Sequence, residues 1–124
     1  MANPAPASEF KATFSSIGIQ PGSAGSLVAV ANVEGTASGY GPFVGTMSAA
    51  PAGSKSGTWQ YCGIGWLDDG GTLSVTGQGT FESVGTTRWH QRGLLHDNLG
   101  RVMSVDAEID LASHAWTGKI SAAG

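Results

Sequence analysis

The residues of this chain that could move a proton or hold an anion concentrate in two short runs. Arg88, His90 and Arg92 alternate in one, and Asp106, Glu108 and Asp110 alternate in the other. Alternation puts each trio on one face of a β-strand. If the two strands pair antiparallel across a short loop, Arg92 meets Asp106, His90 meets Glu108 and Arg88 meets Asp110. Two chemistries fit such a ladder. Facing the inside of a barrel, a His–Glu pair flanked by Arg–Asp pairs is a general acid/base assembly with anion-holding groups, and Tyr61 and Tyr40 are alternative proton donors. Facing water, the same ladder is a stripe of cross-strand pairs worth about 0.2 to 1 kcal/mol each.

Other constellations are poorer. Cys62 is the single cysteine, and with no cation forced beside it, it reads as an inert buried thiol more readily than as a nucleophile. His90, His96 and His114 fall on different elements without ligand spacing, so no metal is expected. Asp68-Asp69-Gly70-Gly71 has the chemistry of a hairpin turn and needs no cation. Gly39-Tyr40-Gly41-Pro42-Phe43 is not followed by a helix and so is no phosphate cradle; it reads as a bent strand with Tyr40 or Phe43 at a rim.

The elements that must position these groups are strands. Glycine occurs 20 times in 124 residues, more than twice the usual roughly 7%, and with abundant Ser and Thr this suits many short strands between turns. Eight runs qualify: 11–17, 27–34, 37–47, 57–67, 72–82, 86–95, 102–111 and 116–121. They follow a Pro/Ala-rich start, residues 1–10, read as a flexible tail. Eight strands without helices predict a single all-β domain over residues 11–124, an eight-stranded antiparallel up-and-down barrel. That is the strand number at which a barrel just holds side chains or one small ligand.

Hairpin connections then fix which residues face each other. A four-residue loop Asp68–Gly71 sets Leu67 opposite Thr72 and places Gln60, Cys62, Ile64, Trp66, Leu73, Val75 and Phe81 on one face. A three-residue loop Ser83–Gly85 sets Trp89 opposite Gly79 and Leu95 opposite Leu73. A loop Asp97–Arg101 sets Trp89 opposite Ile109 and Leu95 opposite Met103. The last turn, Ala112–Ala115, sets Glu108 opposite Lys119 and adds Trp116 and Ile120 to the apolar side. Trp66, Trp89, Trp116, Phe81 and Met103, with Gln60, Gln91 and Cys62 as the few polar groups, are thus the expected ligand-binding wall. Gly63/Gly65 and Gly77/Gly79 either curve the sheet or leave room opposite these aromatics.

Composition narrows the partners. A net charge of −3 lacks the basic footprint of nucleic-acid binding. No apolar run approaches the ~20 residues of a membrane span. One cysteine and no secretory leader pattern at Met1–Phe10 point to a reduced, cytoplasmic protein.

The segments Gly39-Tyr40-Gly41-Pro42-Phe43-Val44-Gly45 and Trp116-Thr117-Gly118-Lys119 are similar to the Gly-rich segment and closing strand of small calycin-type and allene-oxide-cyclase-like β-barrels. The resemblance spans Lys11 to Ser121. It implies binding of a small hydrophobic molecule, in some members with isomerisation or cyclisation, and often homo-oligomer formation. The leading expectation is a cofactor-independent barrel enzyme that isomerises, cyclises or opens a small apolar substrate. The alternatives are a noncatalytic binder of a hydrophobic ligand, or a structural module using Trp59 and Tyr61 as an outward subunit contact. The direction of His90 separates them: inward favours catalysis, outward favours binding or assembly.

Overall fold

Short runs of alternating apolar residues, broken by glycine-containing turns, form strands and nothing longer than one 3-10 turn of helix. A computed structural model describes residues 8–122. Its strands are β1 (Ser8–Pro21), β2 (Leu27–Ala37), β3 (Gly41–Ala50), β4 (Ser56–Trp66), β5 (Thr72–Gly85), β6 (Arg88–Asp97), β7 (Val102–Asp110) and β8 (Ala115–Ala122). Each pairs antiparallel with the next and β8 returns to β1, closing the expected eight-stranded up-and-down barrel. No helix of the described residues is long and apolar enough to cross a membrane.

β1 begins inside the stretch expected to be a tail. Ser8–Phe10 are strand, and Phe10 is buried against Trp116 with ring centroids 4.8 Å apart. The remainder of that expected tail, residues 1–7, lies outside the described residues.

The β6–β7 register is the one expected: Arg92 faces Asp106, His90 faces Glu108, Arg88 faces Asp110 and Leu95 faces Met103. Two other registers are displaced by an even number of residues, which moves partners but keeps each side chain on its face. Trp89 lies opposite Ser83 and Leu95 opposite Gly77, because β5 runs on to Gly85 with a bulge at Val84. Glu108 lies opposite Thr117 and Lys119 opposite Asp106, because the last turn closes between Asp110 and Ala115.

The β4–β5 register is displaced by one residue, and that reverses a whole strand. Leu67 closes the hairpin on Gly71 rather than on Thr72, leaving only Asp68, Asp69 and Gly70 in the loop: its N–H donates to the Gly71 carbonyl at 2.8 Å, Gly70 takes φ +89°, and Trp66 faces Thr72. This is a three-residue hairpin loop with a left-handed glycine rather than a four-residue one. Trp59 and Tyr61 therefore point inward, 1% and 8% exposed, whereas Trp66 is 44% exposed and Gln60 and Cys62 are also exposed. The space above the glycines is filled by these two rings. A Cβ on Gly93 would stand 2.6 Å from the Trp59 ring and one on Gly77 3.3 Å from it, while the Tyr61 hydroxyl occupies the space over Gly45 and Gly63.

At the upper end lie the connections 38–40, 67–71 and 98–101; at the lower end lie 22–26, 51–55, 86–87 and 111–114. β1 pairs with β8 only over Ser8–Thr13, so beyond Phe14 the outer edge of β1 continues as an arm past the end of β8, while β2 stays paired with β3 as far as Ala29. A bulge at Ser15 shifts the parity of β1, so that Ile17 and Ile19 continue the inward face begun by Phe10, Ala12 and Phe14.

Candidate functional site

The interior holds two cavities that share no lining residue, with the fully buried side chains of Trp59 and Gln91 between them. The Gln91 amide donates to Met47 Sδ at 3.0 Å and its carbonyl accepts the Trp116 indole N–H at 2.6 Å. The Trp59 indole N–H lies within reach of two backbone carbonyls, Thr80 at 3.1 Å and Arg92 at 3.2 Å. Every polar atom of this layer is thus engaged, which such burial demands.

The upper cavity, about 70 Å³, is walled by Phe10, Phe43, Tyr61, Leu95, Met103 and Trp116, with Tyr40 also in its lining. The Tyr40 hydroxyl donates to Met103 Sδ at 3.6 Å. Burial pushes the Tyr61 phenol well above its usual range, with the neighbouring Cys62 adding to the effect and no hydrogen bond offsetting it. A phenol so placed stays protonated and keeps an O–H free to donate.

The lower cavity is larger, about 290 Å³, near the bottom of the ~300 to 1,000 Å³ range of small-molecule sites. Phe14, Ile17, Ile19, Met47, Phe81 and Trp89 line it, with Ile109, Leu111 and the Pro51–Ser54 loop completing the wall. It contains no titratable side chain. Ile17 and Ile19, 42% and 57% exposed, form its rim on the arm, which is held to the opposite loop by the Ala52 N–H donating to the Leu27 carbonyl at 2.7 Å.

The charge ladder lies on the outer wall, away from both cavities. Its side chains also cross to diagonal partners, as a twisted sheet permits. Arg88 binds Glu108 and not Asp110; His90 Nε2 lies 2.7 Å from Asp106 Oδ1; Arg92 Nε is 3.9 Å from Asp106. Glu82 on β5 stands 4.0 Å from His90 Nδ1. Asp110 instead accepts the Ala112 N–H in the following turn. His90 and Glu108 are therefore not paired side by side and do not reach the interior. Among the described residues no group of three His, Cys, Asp or Glu could hold a metal ion.

Of the residues expected to form the ligand wall, Phe81 and Trp89 line the lower cavity, Met103 and Trp116 the upper one, and Gln91 the layer between. Trp66, Gln60 and Cys62 are exposed on the outer wall because of the Leu67 turn. Trp59 and Tyr61, expected as an outward subunit contact, are core instead. The contributions of β1 and β3, namely Phe14, Ile17, Ile19 and Met47, were missed. Their signal was present in the Phe14/Ile17/Ile19 apolar spacing, but it carries a parity change that only the Ser15 bulge explains. No protein-family model matches the chain, and no curated protein or solved structure matches it either.

Proposed function

We propose that the protein binds a small hydrophobic molecule in the lower cavity without transforming it. The observation that carries this reading is the wall itself: almost wholly apolar side chains around about 290 Å³, open at an apolar rim, with Ser54 the one polar side chain and no titratable group. Such a site has only desolvation of apolar surface to offer. His90 lies on the outer wall beside Asp106, so the acid/base pair does not line this cavity, which favours binding.

A second reading, turnover of a small apolar substrate, is supported by one feature. The Tyr61 hydroxyl sits in the upper cavity as a protonated donor, able to stabilise an oxygen of a substrate.

Titration with a neutral naphthylamine dye tests the first reading. Saturable energy transfer from tryptophan is expected, weakened about tenfold in Trp89→Ala, a loss of about 1.4 kcal/mol, and unchanged in the outward Trp66→Phe. No saturable transfer, or equal binding by Trp89→Ala, would remove the lower cavity from consideration. Equal weakening by Tyr61→Phe alone would favour the upper one.

A further inference from the structure

The outer edge of the β1 arm lacks a neighbour. β8 stops pairing with β1 at Thr13, one further backbone bond runs from the Phe14 N–H to the His114 carbonyl at 2.9 Å, and from Ser15 to Pro21 only β2 lies alongside among the described residues. An exposed strand edge offers unpaired N–H and C=O groups, and natural sheets normally guard such an edge with charge. Here none is present: no residue between Lys11 and Glu34 is charged. The bulge at Ser15 and the proline at position 21 confine the available edge to Ser16–Gln20.

That segment reads Ser16-Ile17-Gly18-Ile19-Gln20, a palindrome of residue character about Gly18. A two-fold axis through Gly18, perpendicular to the sheet, would pair Ile17 of one copy with Ile19 of the other on the inner face, Ser16 with Gln20 on the outer face, and glycine with glycine at the centre. Like-on-like pairing of this kind is what an isologous contact requires. Gly18 itself has no role within the barrel. Its φ is not in the left-handed region, and a Cβ there would meet only the Val30 carbonyl oxygen, at 4.0 Å. Glycine at this point leaves the outer face bare at the centre of the pairing, with no side chain for the second copy to accommodate there.

We propose that the chain forms a two-fold dimer by antiparallel pairing of Ser16–Gln20 with the same segment of a second copy, centred on Gly18. The reading rests on the arm's edge and sequence, and Ile17 and Ile19, which it pairs, also form the rim of the lower cavity. Five residues a side make a small interface, so the dimer is a concentration-dependent species.

Cysteine placement tests the register. Across a directly opposed antiparallel pair Cα atoms stand about 4.5 to 5.5 Å apart, within disulfide range, whereas two copies of Gln20 would be separated by roughly 13 Å along the strands. In a Cys62→Ser background, Gly18→Cys should oxidise to a covalent dimer and Gln20→Cys should not; circular dichroism confirms the fold of each, and the free space at Gly18 makes its variant tolerable. Sedimentation of the unaltered protein should show a dimer that Ile17→Lys with Ile19→Lys shifts to monomer. Equal cross-linking at both positions, no cross-linking of Gly18→Cys, or a dimer indifferent to the two lysines would each overturn the proposal.

Discussion

At the upper end of the barrel one carboxylate organises a connection: Asp97 accepts the N–H groups of Leu99 and Arg101, each at 2.9 Å, and the Arg101 guanidinium at 2.6 Å. Asn98 in the same loop exchanges hydrogen bonds with Ser74 of β5, and Arg101 lies 5.8 Å from the centroid of the Tyr40 ring. At the lower end the connections are tied to their neighbours by single backbone bonds, from Ala52 to Leu27, Ser83 to Lys55, Leu111 to Thr87 and Phe14 to His114, beside an arm whose inward isoleucines are about half exposed. The end whose loop is gathered by the Asp97 side chain encloses about 70 Å³ and the other leaves about 290 Å³, both lined almost wholly by apolar side chains. A side-chain network fixes the connection it belongs to, whereas apolar side chains at a mouth gain their stabilisation only when something covers them. The lower end is therefore where the molecule has unmet burial.

The difference depends on the layer between the ends, and breaking that layer should have the largest effect. Trp59→Ala should cost about 3 to 5 kcal/mol, measured by urea unfolding, and should merge the two cavities so that dye capacity rises in whatever fraction remains folded. A fall in stability of less than about 1 kcal/mol would show that the layer does not hold the ends apart. Loosening the upper end comes next. Burial of the Asp97 carboxylate opposes its ionisation, but the hydrogen bonds from Arg101 and Leu99 outweigh this and hold it below the usual carboxylate range. Its contribution is therefore present above the unfolded-state pKa and disappears as pH falls through the lower folded-state value. Asp97→Asn should cost about 2 kcal/mol at neutral pH, and the gap from the unaltered protein should close in acid. A gap that persists unchanged in acid would contradict the assignment. The smallest effect is expected at the outer wall, equally far from both mouths in function: His90→Gln should change stability by less than about 1 kcal/mol and leave dye binding as it was.

The sequence was most legible where a turn spanned the number of residues its chemistry suggests. The loop after Asp97 gave β6 and β7 their true register, and with it the placement of Trp89, Gln91, Met103 and Ile109. β4 was illegible because one residue, Gly71, leaves the loop to close against Leu67; side chains alternate strictly, so Trp59 and Tyr61 exchange sides with Gln60, Cys62 and Trp66. The charge ladder paired by backbone as expected, yet its side chains took diagonal partners that depend on sheet twist, a quantity no residue spells out. The lower cavity was hidden for a different reason. Its walls come from β1, β2, β3, β5, β6 and β7 together, and the β1 share passes through a bulge that reverses the parity on which strand reading relies. Glycine spacing correctly marked missing bulk, but the protein's own Trp59 and Tyr61 occupy much of it.

One feature of the topology bears on how the chain reaches this state. Seven of the eight strand pairings join sequence neighbours through short connections, and only β1 with β8, over Ser8–Thr13, joins the two ends of the chain. Hairpins form quickly because little chain must be immobilised to make them, whereas closing a loop over nearly the whole polypeptide carries the largest entropic cost in the molecule. The rate of folding should accordingly be governed by a seam of six residue pairs. Substitutions along that seam would slow the chain's closure, while equally severe ones in the β4–β5 hairpin would act mainly on how fast the finished barrel reopens.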